Sequence, residues 1–146
     1  MHDYPVIVGR ALLDEVHKQL DGVKKVLIVH PQALTSSAEQ LKANLDEHNL
    51  EVILAGIPDG DDSKRVEVAS FAWQIMGQAE FNRNDSVIGF GGGATTDMAG
   101  FIASTWLRGV RYVAIPTTLL AMVDAAIGGK TGLNTTEGKN LGGTFY

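Results

Sequence analysis

Cysteine is absent from all 146 residues, which excludes disulfides and thiolate metal sites together. Also missing is any run close to the roughly 20 apolar residues that a membrane-spanning helix needs. The opening Met1-His2-Asp3-Tyr4-Pro5 has neither the basic nor the apolar region of a secretory signal. Positive charge is scarce: 12 Lys and Arg against 17 Asp and Glu give a net charge of −5, so no general attraction to nucleic acid is expected. The four histidines (His2, His17, His30 and His48) include no pair at i, i+4, so the helical zinc arrangement is missing. There is no internal repeat and no low-complexity tract. These absences lead to the expectation of a cytoplasmic protein with no membrane or nucleic-acid partner. With 45% hydrophobic and 20% charged residues, the composition is that of one globular domain able to bury a core.

Three apolar, β-branched runs predict buried strands: Lys25 to Val29, Glu51 to Ala55 and Asp85 to Phe90. Arg111 to Ile115 reads as a fourth, and Pro5 to Val8 as an edge strand. Helical spacing connects them. Leu12, Leu13, Val16 and Leu20 share one face; Ala38, Leu41 and Leu45 share another, preceded by a capping-box pair, Ser36 and Glu39. Val66, Ala69, Trp73 and Met76 form a third stripe, and Ala94, Met98, Phe101, Ile102 and Thr105 a fourth. His17 and His48 read as surface helix residues. Strands alternating with helices predict an α/β fold, a Rossmann-like, mostly parallel sheet with helices on both faces.

Charge and glycine then shift together. Residues 108–146 carry Arg108, Arg111, Lys130 and Lys139 against Asp124 and Glu137, a local +2 that leaves −7 for the preceding 107 residues. Of the 17 glycines, 12 lie from residue 89 onward. The first 88 residues therefore read as scaffold, and the rest as loops facing a small anionic ligand. The chain stops soon after Gly142-Gly143 with no closing helix, which leads to the expectation of a truncated protein.

The sharpest local feature is Gly89-Phe90-Gly91-Gly92-Gly93-Ala94-Thr95-Thr96-Asp97, placed after a strand and opening a helix. Glycines there let a backbone approach a pyrophosphate, with the helix N-terminus facing the anion. Residues 89–94 fit G-x-G-x-x-A, although the motif follows a late strand and the next strand ends without a ribose-binding acid. A tight strand-to-helix turn is the structural alternative. Gly128-Gly129-Lys130-Thr131 ends like a P-loop but fails on spacing, since the position needing glycine is Asp124. Lys130, Lys139, Asn140 and Asp124 form a compact polar set for a phosphorylated or hydroxylated ligand. Thr117 and Thr118, after Pro116, either cap a helix or meet a ligand. Asp59-Gly60-Asp61-Asp62-Ser63-Lys64 lacks the alternation of a calcium loop and reads by itself as a solvated turn. His30 ends a strand at the ligand edge and is a further candidate. Trp73 and Trp106 read as core.

From about Pro58 to Tyr146 these pieces, in this order, resemble the 3-dehydroquinate synthase family. The resemblance rests on the acidic turn ending in Lys64, Gly91 to Asp97 with Ala99-Gly100-Phe101, Arg108-Gly109-Val110, and Pro116 to Leu120. It continues through Asp124, Gly128 to Gly132 and Gly138-Lys139-Asn140. It implies that Asp59, Gly60, Asp61, Asp62, Ser63 and Lys64, together with Gly92, Gly93, Ala94, Thr95, Thr96, Asp97, Thr117 and Thr118, hold NAD. It implies that Asp124, Lys130, Lys139 and Asn140 face a sugar phosphate, with Lys130 and Lys139 also near the nicotinamide. Arg108 would reach the substrate phosphate across a homodimer interface.

The implied activity is conversion of 3-deoxy-D-arabino-heptulosonate 7-phosphate to 3-dehydroquinate and phosphate in the shikimate pathway. A ring hydroxyl is transiently oxidised, phosphate is eliminated, the ketone is reduced back and an aldol closes the ring, with NAD used catalytically. The family's divalent metal, zinc or cobalt, is held by a glutamate and two histidines in a C-terminal helical domain beyond residues 1–146. The chain alone is thus expected to be inactive. Departures from the family pattern are Asp61 where glutamate is usual, His30-Pro31 where Asp or Asn follows the strand, and Gly142 and Thr144. Another sugar phosphate cyclase is the enzymatic rival, and a non-catalytic NAD-binding module is the rival of another class. A polyol dehydrogenase fits less well, because Phe101 stands where that family carries lysine.

Overall fold

Parallel strands joined by helical crossovers decide the architecture. The computed structural model describes residues 15–117 and two short strands, Lys130–Thr131 and Thr144–Phe145. The order is β1 (Lys25–Pro31), α1 (Thr35–Asp46), β2 (Glu51–Ile57), α2 (Val66–Gln78), β3 (Ser86–Gly91), α3 (Gly93–Thr105) and β4 (Arg111–Pro116). The short strands β5 (Lys130–Thr131) and β6 (Thr144–Phe145) follow. Strands β1 to β4 form one sheet in the order β2-β1-β3-β4, and every neighbour pair in it is parallel. This is the Rossmann-like α/β sheet that the alternating pattern predicts.

The order has a consequence for the helices. The chain steps from β1 to β2 in one direction, then from β2 across β1 to β3 and on to β4 in the other. Right-handed connections then place α1 on one face and α2 and α3 on the opposite face. The core divides accordingly. Val26, Ile28 and Ile88 pack with Ala38, Leu41 and Leu45 of α1, whereas Leu27, Val29 and Val87 pack with Ala69, Met76, Met98 and Ile102 of α2 and α3. Every residue of β1 from Val26 to Pro31 is buried, as a strand covered on both faces requires. Burying an aliphatic side chain of this size is worth about 1.5–3 kcal/mol, so the central strands are the energetic centre of the domain.

Buried polar groups hold the amino-edge of the sheet. The Asp85 carboxylate, 1% exposed, accepts hydrogen bonds from Lys25 N at 3.0 Å and Asn82 N at 2.8 Å. It thereby sets the starts of β1 and β3 beside each other. Lys25 Nζ donates to the Ala79 and Glu80 carbonyls at 2.6 and 3.2 Å, which secures the turn after α2.

Several local expectations are corrected. The capping box does not form: a 3-10 turn, Gln32–Leu34, runs directly into α1, so Ser36 already lies inside the helix and no side chain caps its start. In α2 the buried face is Val68, Ala69, Ala72 and Met76, while Val66 is 57% exposed and Trp73 half-buried. The two alanines let α2 approach the sheet closely, and that rotates the helix away from Val66. In α3, Thr105 is exposed, and its hydroxyl donates back to the Phe101 carbonyl at 2.7 Å. Val16 and Leu20 are buried as expected, though Val16–Gln19 is a 3-10 turn. The half-buried His17 ring stacks on His48 with centroids 3.7 Å apart, joining that turn to the one after α1. Leu12, Leu13 and the Pro5–Val8 edge strand lie outside the described residues.

Candidate functional site at the carboxyl edge of the sheet

In an open parallel sheet, ligands bind beyond the carboxyl ends of the strands where the chain reverses direction across the sheet. Here that point lies between β1, ending at His30-Pro31, and β3, ending at Gly91. The acidic turn follows β2 on one side, and Thr117 follows β4 on the other. Thr117 N donates to the Gly91 carbonyl at 2.8 Å, so the exits of β3 and β4 are joined.

The glycines of this edge differ in purpose. A Cβ at Gly89 would lie 2.7 Å from Ala99 Cβ and 2.8 Å from the Tyr112 hydroxyl; one at Gly91 would lie 2.9 Å from both Pro31 Cδ and Thr95 Cβ. These two are glycine because helix α3 and the neighbouring strands crowd the backbone. Gly93 is different. Among the described residues, a Cβ there meets nothing within 4 Å outside its own helix, which leaves space over the first residue of α3. Gly92 is the N-cap with no side-chain cap hydrogen bond, and the first turn of α3 contains no acidic residue. Backbone N–H groups with no side-chain cap, the positive end of the helix dipole and space among the described residues coincide there, which suits an anionic group.

Thr95 and Thr96, which follow, turn inward and are 3% and 1% exposed. The Thr96 hydroxyl donates to the Gly92 and Gly93 carbonyls at 3.1 and 3.2 Å, and the Tyr112 hydroxyl donates to the Thr96 carbonyl at 2.6 Å. These bonds brace the loop from below. The half-buried residues at the start of this loop are Gly92, Gly93 and Ala94.

The acidic turn is a 3-10 turn, Gly60–Ser63, lying alongside α3. Gly60, at φ 62°, adopts the left-handed conformation that glycine tolerates best, and Ser63 Oγ closes the turn on the Gly60 carbonyl at 2.8 Å. Asp59 Oδ1 accepts from Ala33 N at 3.3 Å, fastening the turn to the segment after β1. Asp61 and Asp62 are exposed, the latter beside Arg65 at 3.3 Å. Lys64 folds back over the edge, and its ammonium lies 2.7 Å from Asp97 Oδ2. Thus two segments that the sequence assigns to one ligand are joined by an ion pair, of which residue spacing gives no sign. His30 is buried at the end of β1, with Nδ1 2.9 Å from the Pro31 carbonyl oxygen, between the glycine loop and the acidic turn.

Not every candidate reaches this edge. Arg108 follows α3, whose 13 residues extend about 20 Å from the glycine loop, so it lies towards the opposite edge of the sheet. Leu107 and Arg108 are both left-handed, at φ 48° and 70°, an uncommon conformation for residues with side chains, and both are exposed. Of the polar set, Lys130 lies in β5, which pairs antiparallel with β6, and the backbone of β5 runs alongside α3. Thr118, Asp124, Lys139 and Asn140 lie outside the described residues. Among the described residues no three His, Cys, Asp or Glu are grouped so as to hold a metal ion, and no described helix is long and apolar enough to cross a membrane.

A doubly wound parallel sheet whose reversal point carries a glycine loop and an uncapped helix start defines a Rossmann-like α/β domain. The family model described as 3-dehydroquinate synthase N-terminal matches residues 54–146, and the chain belongs to that family. A 3-dehydroquinate synthase of Leifsonia xyli subsp. xyli is 58% identical over 144 residues, covering 98% of this chain and 40% of that protein. The chain thus spans about 40% of the length of the curated relatives it matches. Among solved structures, a 2-epi-5-epi-valiolone synthase from Streptomyces hygroscopicus with NAD+ and Zn2+ bound superposes with a TM-score of 0.84 at 36% identity. It covers all of this chain and 41% of that one. A 2-deoxy-scyllo-inosose synthase complexed with carbaglucose-6-phosphate, NAD+ and Co2+ also gives 0.84, at 25% identity, covering 94% and 38% of the two chains.

Proposed function

We propose that this chain is the NAD-binding domain of a 3-dehydroquinate synthase whose remaining residues form a helical, metal-holding domain. The observation that carries the reading is the space left among the described residues over Gly93, at the uncapped start of α3 and at the reversal point of the sheet. When bound, NAD would supply a reversible hydride acceptor. The residues of this chain bind and orient. Backbone N–H groups of Gly92, Gly93 and Ala94 receive the pyrophosphate, and the exposed Asp61 and Asp62 accept from ribose hydroxyls beyond β2. The distance across two strand spacings, about 10 Å from β3 to β2, suits the path from pyrophosphate to adenosine. Lys130, Lys139, Asn140 and Asp124 hold the sugar phosphate, and the lysines stabilise negative charge that develops during elimination.

Arg108 belongs to the same proposal through a homodimer. Placed at the far edge of its own sheet on a left-handed turn, it serves the substrate phosphate of the partner subunit. A cytoplasmic location is part of this reading of the intact enzyme.

The domain assignment has a direct test. Phosphate release from 3-deoxy-D-arabino-heptulosonate 7-phosphate is expected from the intact protein with zinc or cobalt. The isolated 146 residues are expected to remain at background with either metal. Metal-dependent phosphate release by the isolated chain would show that no further domain is needed.

A further inference from the structure

We infer that Tyr112, which the sequence assigns only to a strand, is a positioning residue that sets the height of the glycine loop over the sheet. The inference rests on the reading that this loop binds NAD. The Tyr112 ring is half-buried against the core beneath α2 and α3, and its hydroxyl donates to the Thr96 carbonyl, in the first turn of α3, at 2.6 Å. Gly89 makes the slot that the phenol occupies: a Cβ there would lie 2.8 Å from the Tyr112 hydroxyl and 3.2 Å from its Cε1. At the other end of the loop, Thr117 N, just beyond β4, donates to the Gly91 carbonyl at 2.8 Å. β4 therefore holds the loop from Gly91 to Thr96 at both ends, and the N–H groups of Gly92, Gly93 and Ala94 belong to the stretch between. Hydrogen bonds weaken steeply with distance and angle, so a support that fixes donors in place fixes the affinity of the anion they receive. Tyr112 acts through the backbone of α3 and needs no contact with the cofactor.

Calorimetric titration of the intact protein with NAD separates this role from a merely structural one. Tyr112→Phe keeps the ring and removes the donor. It is expected to bind NAD about three- to tenfold more weakly, the span that one net hydrogen bond supports. Tyr112→4-aminophenylalanine, which returns a donor to the same place, is expected to recover most of that loss. Ser86→Ala is the control. The Ser86 hydroxyl donates to the Arg111 carbonyl at 3.0 Å and joins the same two strands one register step from Tyr112, at the amino end of β3. Its removal takes away the same kind of bond and is expected to leave NAD affinity within about twofold of wild type. Thermal melts establish that each variant is folded. Wild-type affinity in Tyr112→Phe, an equal loss in Ser86→Ala, or a loss that the amino group does not recover overturns the inference. A Tyr112→Phe protein that does not melt cooperatively also overturns it, because the hydroxyl then serves the fold. A folded wild-type protein that binds no NAD removes the reading of the loop itself, an outcome distinct from a silent Tyr112→Phe.

Discussion

Lys130→Ala in the intact enzyme is expected to leave the fold unchanged and to lower turnover at least about 100-fold, or roughly 2.7 kcal/mol. Lys130 begins β5, whose backbone runs beside α3, the helix that opens at the glycine loop. A charge-assisted contact to a desolvated phosphate or developing oxyanion is among the stronger polar interactions, and its loss falls on the reacting state. A lysine held in water contributes little when removed. Lys24, exposed just before β1, is the control, and Lys24→Ala is expected to stay within about 0.5 kcal/mol of wild type in stability and to keep its activity. Both substitutions remove one positive charge, so a general electrostatic effect moves them together. Steady-state phosphate release from the two variants separates the cases. Wild-type kinetics in Lys130→Ala would remove that residue from the site, and equal losses in both would point to folding or net charge.

Gly93→Val has the second large effect, on cofactor affinity. A side chain at Gly89 or Gly91 strikes protein atoms closer than 3 Å, so those substitutions confuse folding with binding. At Gly93, among the described residues, no atom outside its chain neighbours and its own helix lies within 4 Å of the added carbon, and the fold should tolerate the change. With the pyrophosphate placed as proposed, the valine would occupy its space, at an expected cost of at least about 2 kcal/mol by analogy with overpacking, or roughly 30-fold in NAD affinity. Calorimetry on a variant with an unchanged melting temperature tests this. Unaltered affinity would place the pyrophosphate elsewhere.

The contrast among these glycines shows which parts of the molecule are legible in its sequence. The two central strands are legible because burial on both faces demands continuous apolar, β-branched runs, and Val26 to Val29 and Val87-Ile88 supply them. Their carboxyl ends reach one or two residues further than the apolar pattern, since His30-Pro31 and Gly91 continue the ladder into the site. Helix phase is less legible. The segment Val66 to Met76 offers two overlapping apolar stripes, and only close packing through Ala69 and Ala72 selects between them.

At the site, the glycine loop and the acidic turn are visible as motifs because backbone approach and tight turns need particular residue types. How they are held is not visible. The Lys64–Asp97 pair spans 33 positions, and the Tyr112 hydroxyl reaches the Thr96 carbonyl across 16, distances at which only the tertiary fold brings groups together. Thr95 and Thr96 belong to the motif and are buried, and the Thr96 hydroxyl bonds back to the loop, which residue type alone does not announce.

The central claim is that this edge holds an NAD that is used and returned within each turnover. Its most direct measurement is the stoichiometry of phosphate and NADH in the intact enzyme with 3-deoxy-D-arabino-heptulosonate 7-phosphate. With NAD equimolar to enzyme and substrate in large excess, many phosphates per NAD should be released, with no net NADH at completion. Phosphate release that stops after about one equivalent per NAD, or NADH that accumulates with product, would contradict the account. Either result would make the protein a dehydrogenase that consumes its cofactor.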